Sequence, residues 1–177
     1  MLTRQLINIP VHLGLDHLPN IYCGVAVFVL LPLYIMCSKV NAREKIGKCV
    51  ILLIFLTAFN LNIPNYIWHG MHFPNSLPCR QSFIYIFFLL AMCYEAVINL
   101  KNSTNKQLGA SLWIAIGLLL IMEELFINSE TEYSFKSIYI SGIFILIYGL
   151  LMFIHNNARL KIPVVPMLAF SVSIIEC

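Results

Sequence analysis

Between Asn65 and Phe83 the chain reads NYIWHGMHFPNSLPCRQSF, and this stretch holds the residues best equipped for chemistry. Arg80 stands just ahead of an apolar run that starts near Ser82, which puts its guanidinium beside the unpaired N–H groups and positive dipole end of a helix start. A cation is disfavoured there unless something negative binds, and phosphate is the anion that suits this fork. His69 and His72 are three apart, but no Cys, Asp or third His lies at ligand spacing, so no metal is expected. What remains for them is polar contact with a phosphate or hydroxyl, or a hydrogen bond that ties down the loop. Trp68, with Tyr66 and Phe73, supplies either an aromatic belt at a membrane interface or a stacking platform for a sugar ring. Asn75 suits a turn cap, and Pro74 and Pro78 stiffen the segment. The candidate substrate-binding residues are therefore Arg80, His69, His72, Trp68 and Asn75. No Walker loop, nucleophilic triad or basic nucleic-acid patch is present, so neither a cofactor nor a nucleic-acid partner is expected.

The elements that hold this stretch in place are apolar. With 60% hydrophobic residues, 11% charged and a mean hydropathy of +0.85, the composition excludes both a soluble globule and a disordered chain. Apolar runs at about Ile21–Ser38, Ile46–Ile63, Phe83–Leu100, Leu108–Ile127 and Ile138–Ile154 are each near the roughly 20 residues that cross a bilayer as a helix. A further run begins at Ile162, carries Pro163 and Pro166, and is still apolar at Cys177. The expected fold is an all-α polytopic transmembrane bundle with five complete spanning helices and a truncated sixth. Residues 1–177 read as a single transmembrane domain, an internal piece of a longer protein. No signal peptide is visible at Met1–Pro19.

Eight of the eleven Lys and Arg residues fall in alternate segments: Lys39, Arg43, Lys45 and Lys48, then Lys101 and Lys106, then Arg159 and Lys161. The positive-inside rule places those segments in the cytoplasm and the Asn65–Gln81 loop on the extracytoplasmic side of the cell membrane. Six cysteines lack CxxC spacing and read as small packing residues. Carboxylates in apolar runs are costly, so Glu95, Glu123, Glu124 and Glu176 each need a partner or a purpose. Glu95 is near enough to the inner end of its run to pair with a neighbouring helix. Glu123 and Glu124, adjacent on one helix, diverge by about 100° and cannot share a partner. Glu176 has no interpretable context in one dimension.

The run WHGMHFPNSLPCRQSFIYIFFLLAMCYEA resembles the signature of the YfhO family of bacterial membrane proteins, in which Trp-His-Gly precedes a PN-x-LP-x-R-x-SF segment leading into a spanning helix. YCG at Tyr22–Gly24 and REK at Arg43–Lys45 look similar as well, so the likeness covers most of the first 100 residues and fades afterward. It implies a C-type glycosyltransferase, which moves a sugar from a polyprenyl-phosphate lipid to an extracytoplasmic acceptor such as a cell-envelope polymer. By motif position Trp68, His69, Gly70, Pro74, Asn75, Pro78, Arg80, Ser82 and Phe83 carry over. In that superfamily the catalytic acid belongs to an outer loop near the amino terminus of the whole protein. No motif surrounds Asp16, so the catalytic residues are unknown and this fragment alone is expected to be inactive. The rival expectation is a transporter or flippase-like protein that binds a lipid headgroup without chemistry; it predicts internal repeats or broken helices, and neither is evident in the sequence.

Overall fold

The computed structural model describes residues 6–7, 21–68, 70–72, 81–127, 135–157 and 164–176, and all regular structure among them is helical. The helices are α1 (Val27–Met36), α2 (Ala42–Asn60), α3 (Asn62–Trp68), α4 (Ser82–Ile98), α5 (Asn105–Ile127), α6 (Phe135–Asn157) and α7 (Val164–Glu176). A short 3-10 turn at Leu100–Asn102 joins α4 to α5. Helix α1 is the inner rod: it packs on α4, α5 and α6, and Val27–Leu30 and Pro32–Tyr34 are buried. Helix α2 covers α4, α6 covers α5, and α7 lies on α6.

The outside is as apolar as the inside. Phe83, Phe87, Trp113, Tyr139 and Leu150 are each more than 60% exposed on the flanks of α4, α5 and α6. A soluble helix would place polar side chains there, because a contiguous apolar surface of this size is unfavourable in water and favourable in lipid. Where two helices need to touch closely, a small residue lets them: a Cβ on Gly149 of α6 would lie 2.3 Å from Leu112 Cδ2 of α5. Among the described residues nothing lies within 4 Å of such a Cβ on Gly109, Gly117 or Gly142.

One end of the bundle is stitched by polar groups. Lys45 Nζ donates to the carbonyls of Ile35, at 2.9 Å, and Cys37, and Gln107 Nε2 donates to the Met36 carbonyl at 2.9 Å. These bonds serve the last carbonyls of α1, which have no partner within the helix. Lys48 pairs with Glu44 at 2.6 Å and with Glu95 of α4. Asn156 donates to Asn105 Oδ1 at 2.9 Å and to the Ser103 carbonyl at 3.1 Å, which ties the end of α6 to the start of α5. Helix α5 starts at a capping box, with the Gln107 side chain accepting from Thr104 N–H at 2.8 Å and Thr104 Oγ1 from Gln107 N–H at 3.3 Å. Helices α1, α4 and α6 therefore end at this basic end and α2 and α5 start there, with Lys39, Arg43, Lys45, Lys48, Lys101 and Lys106 on or beside the joining segments.

Five complete spans were expected, and the structure corrects that number. Among the described residues two helices are long and apolar enough to cross a membrane, at Asn105–Glu124 and Lys136–Asn157. The first expected span loses its opening turns, because residues 21–26 are not helical and only Val27–Met36 remains. Helix α2 has the length but carries Arg43, Glu44, Lys45 and Lys48 in its first two turns, and α4 has 17 residues. The expected loop also starts late. Asn65–Trp68 belong to α3, with Pro64 in its first turn, where a missing N–H costs nothing.

Candidate functional site

The expected rim site is described in part. Trp68 ends α3 and its ring meets Phe55 of α2 edge-on at 4.9 Å, while 44% of the residue stays exposed. Phe55 in turn packs near Phe59, which meets Tyr85 of α4 at 5.6 Å. An aromatic chain thus fixes α3 to α2 and α2 to α4. The glycine after Trp68 has a physical job: Gly70 takes φ +69°, its N–H donates to the Ile67 carbonyl at 3.1 Å, and the Met71 N–H reaches the Tyr66 carbonyl at 3.0 Å. Those two bonds make a Schellman stop, which requires a left-handed residue and explains why glycine stands there. His72 is exposed just beyond it. Ser82 begins α4 behind a Gln81 that is 3% exposed. His69, Asn75 and Arg80 lie outside the described residues.

A second polar centre, inside the bundle, was not legible in one dimension. Glu176 of α7 is 4% exposed, and its carboxylate gathers three donors from distant parts of the chain. Tyr22 Oη donates to Oε1 at 2.7 Å, the Val25 N–H donates to the same oxygen, and Tyr148 Oη of α6 donates to Oε2 at 2.5 Å. Ser173 Oγ lies 3.0 Å from Tyr148 Oη and 3.0 Å from the Ala169 carbonyl, so its single proton serves one of them at a time. Val25 sits at the start of α1, where unpaired N–H groups and the dipole favour a negative charge. The backbone reaches this position because Gly24 adopts φ +97°, strained for any other residue; a Cβ there would also lie 3.9 Å from Glu176 Oε1.

Beside this carboxylate lies a cavity of about 490 Å³, lined by the Tyr22–Gly24 backbone turn, Leu30, Leu90, Tyr148 and Glu176 among others. A groove of about 330 Å³ shares Ala26, Leu30, Tyr148 and Ser173 with it and continues past Val97 and Leu100 to His155. The other weighed carboxylates are placed more simply. Glu95 pairs with Lys48, Glu123 is half-buried, and Glu124 is exposed.

The family model for the bacterial membrane protein YfhO matches residues 5–177, nearly the whole chain. The chain belongs to the YfhO family. The resemblance first carried by Trp68–Phe83 thus extends through the helices that follow, including α7 with Glu176. No curated protein and no solved structure matches this YfhO-family chain.

Proposed function

We propose that this chain is the donor-binding portion of a multi-pass membrane glycosyltransferase that takes a sugar from a polyprenyl-phosphate lipid and delivers it to an extracytoplasmic cell-envelope acceptor. In this reading the basic end faces the cytoplasm, and the Asn65–Gln81 segment faces outward. An acceptor hydroxyl attacks the anomeric carbon and gives up its proton to a carboxylate contributed from elsewhere in the full protein. The sugar–phosphate C–O bond breaks, and the lipid phosphate leaves with the electron pair. Positive charge that strengthens its hold on that phosphate in the transition state is what accelerates the step. Arg80 supplies it, with His69 or His72 beside it, while Trp68 and Asn75 hold the sugar.

The observation that supports this most is where α4 starts. Ser82 opens that helix at the end of the bundle opposite the Lys48–Glu95 pair, two positions after Arg80, and the preceding α3 is pinned to α2 by Phe55. In the full-length protein Arg80→Ala should abolish envelope glycosylation while the protein still inserts; normal transfer by that variant would refute the role given to Arg80. The orientation has its own test. In intact cells a membrane-impermeant thiol reagent should label Cys79 and spare Cys49, and the reverse pattern would overturn it.

One observation favours the transporter or flippase-like reading. Helix α1 has ten residues and follows a non-helical stretch inside the bundle, as the interrupted helices of transporters do. Translocation of a fluorescent polyprenyl-phosphate lipid across liposomes, without acceptor and undiminished by Arg80→Ala, would replace the enzyme.

A further inference from the structure

The Glu176 centre sits where α1 starts and α7 ends, level with the middles of α4 and α6. Its partner Tyr148 stands 13 residues into α6 and nine before its close, about 20 Å and about 14 Å by helix rise. On α4 the cavity touches Ile86, Leu90 and Cys93, the middle of that helix. In a bilayer this is hydrocarbon depth. A carboxylate there is expensive, and a helix needs none merely to pack.

We propose that the cavity beside Glu176 binds a long-chain lipid with an uncharged hydroxyl head, the hydroxyl donating to the Glu176 carboxylate and the chain lying along the groove toward Leu100. The shape is asymmetric in the way an amphiphile is. Glu176, Tyr22, Tyr148 and Ser173 form a polar head end, and apolar side chains such as Leu30, Leu90 and Val97 line the slot from there to His155 at its far end. From Ile86 to Leu100 the slot follows 14 residues of chain, about 21 Å at helix rise. Volumes of about 490 and 330 Å³ give room for one hydrocarbon chain.

The head is selected by charge and by hydrogen-bond counting. An ionised carboxylate offers about four acceptor positions, and the described residues supply three donors, which leaves one position open among them. A phosphate or carboxylate head would bring like charge against Glu176 where the dielectric is low. An ammonium would pay full desolvation to reach a carboxylate that the Val25 N–H, two phenols and a helix dipole already compensate. A hydroxyl carries the smallest penalty and supplies a donor for the position left open among the described residues. This occupant differs from the phosphate-bearing donor proposed for the rim, so either proposal can fail without the other.

The test uses full-length protein in detergent and two photoreactive probes: a long-chain alcohol with a diazirine on its tail, and the phosphate monoester of the same alcohol. The alcohol should label peptides of α1 and α4 around Leu30 and Val97 at least about tenfold more than the ester, the ratio given by about 1.4 kcal/mol. Leu30→Trp should remove that labelling, and Ala26→Leu serves if the first variant does not insert. Glu176→Gln, which removes the charge, should raise ester labelling to within about threefold of the alcohol. Equal labelling by alcohol and ester in the unaltered protein would overturn the proposal. So would labelling confined to lipid-facing positions such as Phe87 and Trp113, or groove labelling that survives both filled-groove variants.

Discussion

Two carboxylates, Glu95 and Glu176, are each drawn out of water by apolar helices, and the bundle treats them in opposite ways. Glu95 is near the basic end, about a third of its side chain is exposed, and a full cation, Lys48, meets it from α2. Glu176 is almost wholly buried and meets no cation among the described residues; two phenols and a backbone N–H share its charge. At the rim, lysine can stretch its stem along the helix and keep its head near water, so a salt bridge costs little and contributes little. Deep in the bundle a lysine would bring a second desolvation penalty, whereas neutral donors and a helix start stabilise the anion without one. The difference teaches where function belongs. The rim pair ties two helices together and is complete; the inner centre faces a cavity.

Removing Glu176 is expected to have the largest effect. Glu176→Ala leaves the Tyr22 and Tyr148 hydroxyls and the Val25 N–H without their acceptor and detaches α7 from α1 and α6. Hydrogen bonds to a charged acceptor are worth about 1.5–3 kcal/mol each in water-soluble proteins. Interhelical bonds inside membranes average nearer 0.6 kcal/mol, roughly, with maxima below 2. A total loss of about 3 kcal/mol should appear in denaturation by SDS from mixed micelles, and Tyr148→Phe should lose about 1 kcal/mol. If Glu176→Ala costs no more than an alanine at Glu95, the inner cluster is not the stronger of the two.

Next comes the turn that delivers Val25 to the carboxylate. Gly24→Ala must hold a Cβ at φ +97°, at a cost of roughly 1–2 kcal/mol, or let the turn rotate and withdraw the N–H. Either way the inner centre loosens while the basic end is untouched. Hydrogen exchange should therefore speed up at Val25 and in α7 and stay unchanged at Lys45 and Gln107; uniform acceleration would mean that the two regions are one cooperative unit.

The basic end was legible from sequence because its information is local. The alternation of lysine-bearing segments foretold which helix ends meet, whereas the helix stop after Trp68 was not read: the loop was expected from Asn65, and the Schellman bonds at Gly70 and Met71 close a helix that runs to Trp68. The inner site was not legible for the opposite reason. Glu176 stood out by type and Tyr22–Gly24 only through the family resemblance, but Tyr22 and Glu176 are 154 positions apart, and hydropathy cannot say which helix faces which. The number of spans was overcounted by the same blindness. Apolarity from Ile21 onward reads as helix, yet Gly24 breaks the segment because its backbone is needed to present Val25 to a carboxylate.

The smallest effect is expected at the rim pair, and it discriminates by mechanism rather than size. Glu95→Gln keeps the shape and removes the charge, leaving Lys48 with Glu44 on its own helix and the Tyr34 ring 5.6 Å away. A partly exposed pair of this kind contributes about 1 kcal/mol, screened as ionic strength rises. The stability difference between Glu95→Gln and the unaltered protein should therefore shrink by about half between low salt and 0.5 M salt. The corresponding difference for Glu176→Gln should stay constant, because no mobile ion reaches a carboxylate enclosed by α1, α6 and α7. Salt dependence at Glu176 would place that side chain within reach of water, and the contrast between a solvated rim and a dry centre would then be lost.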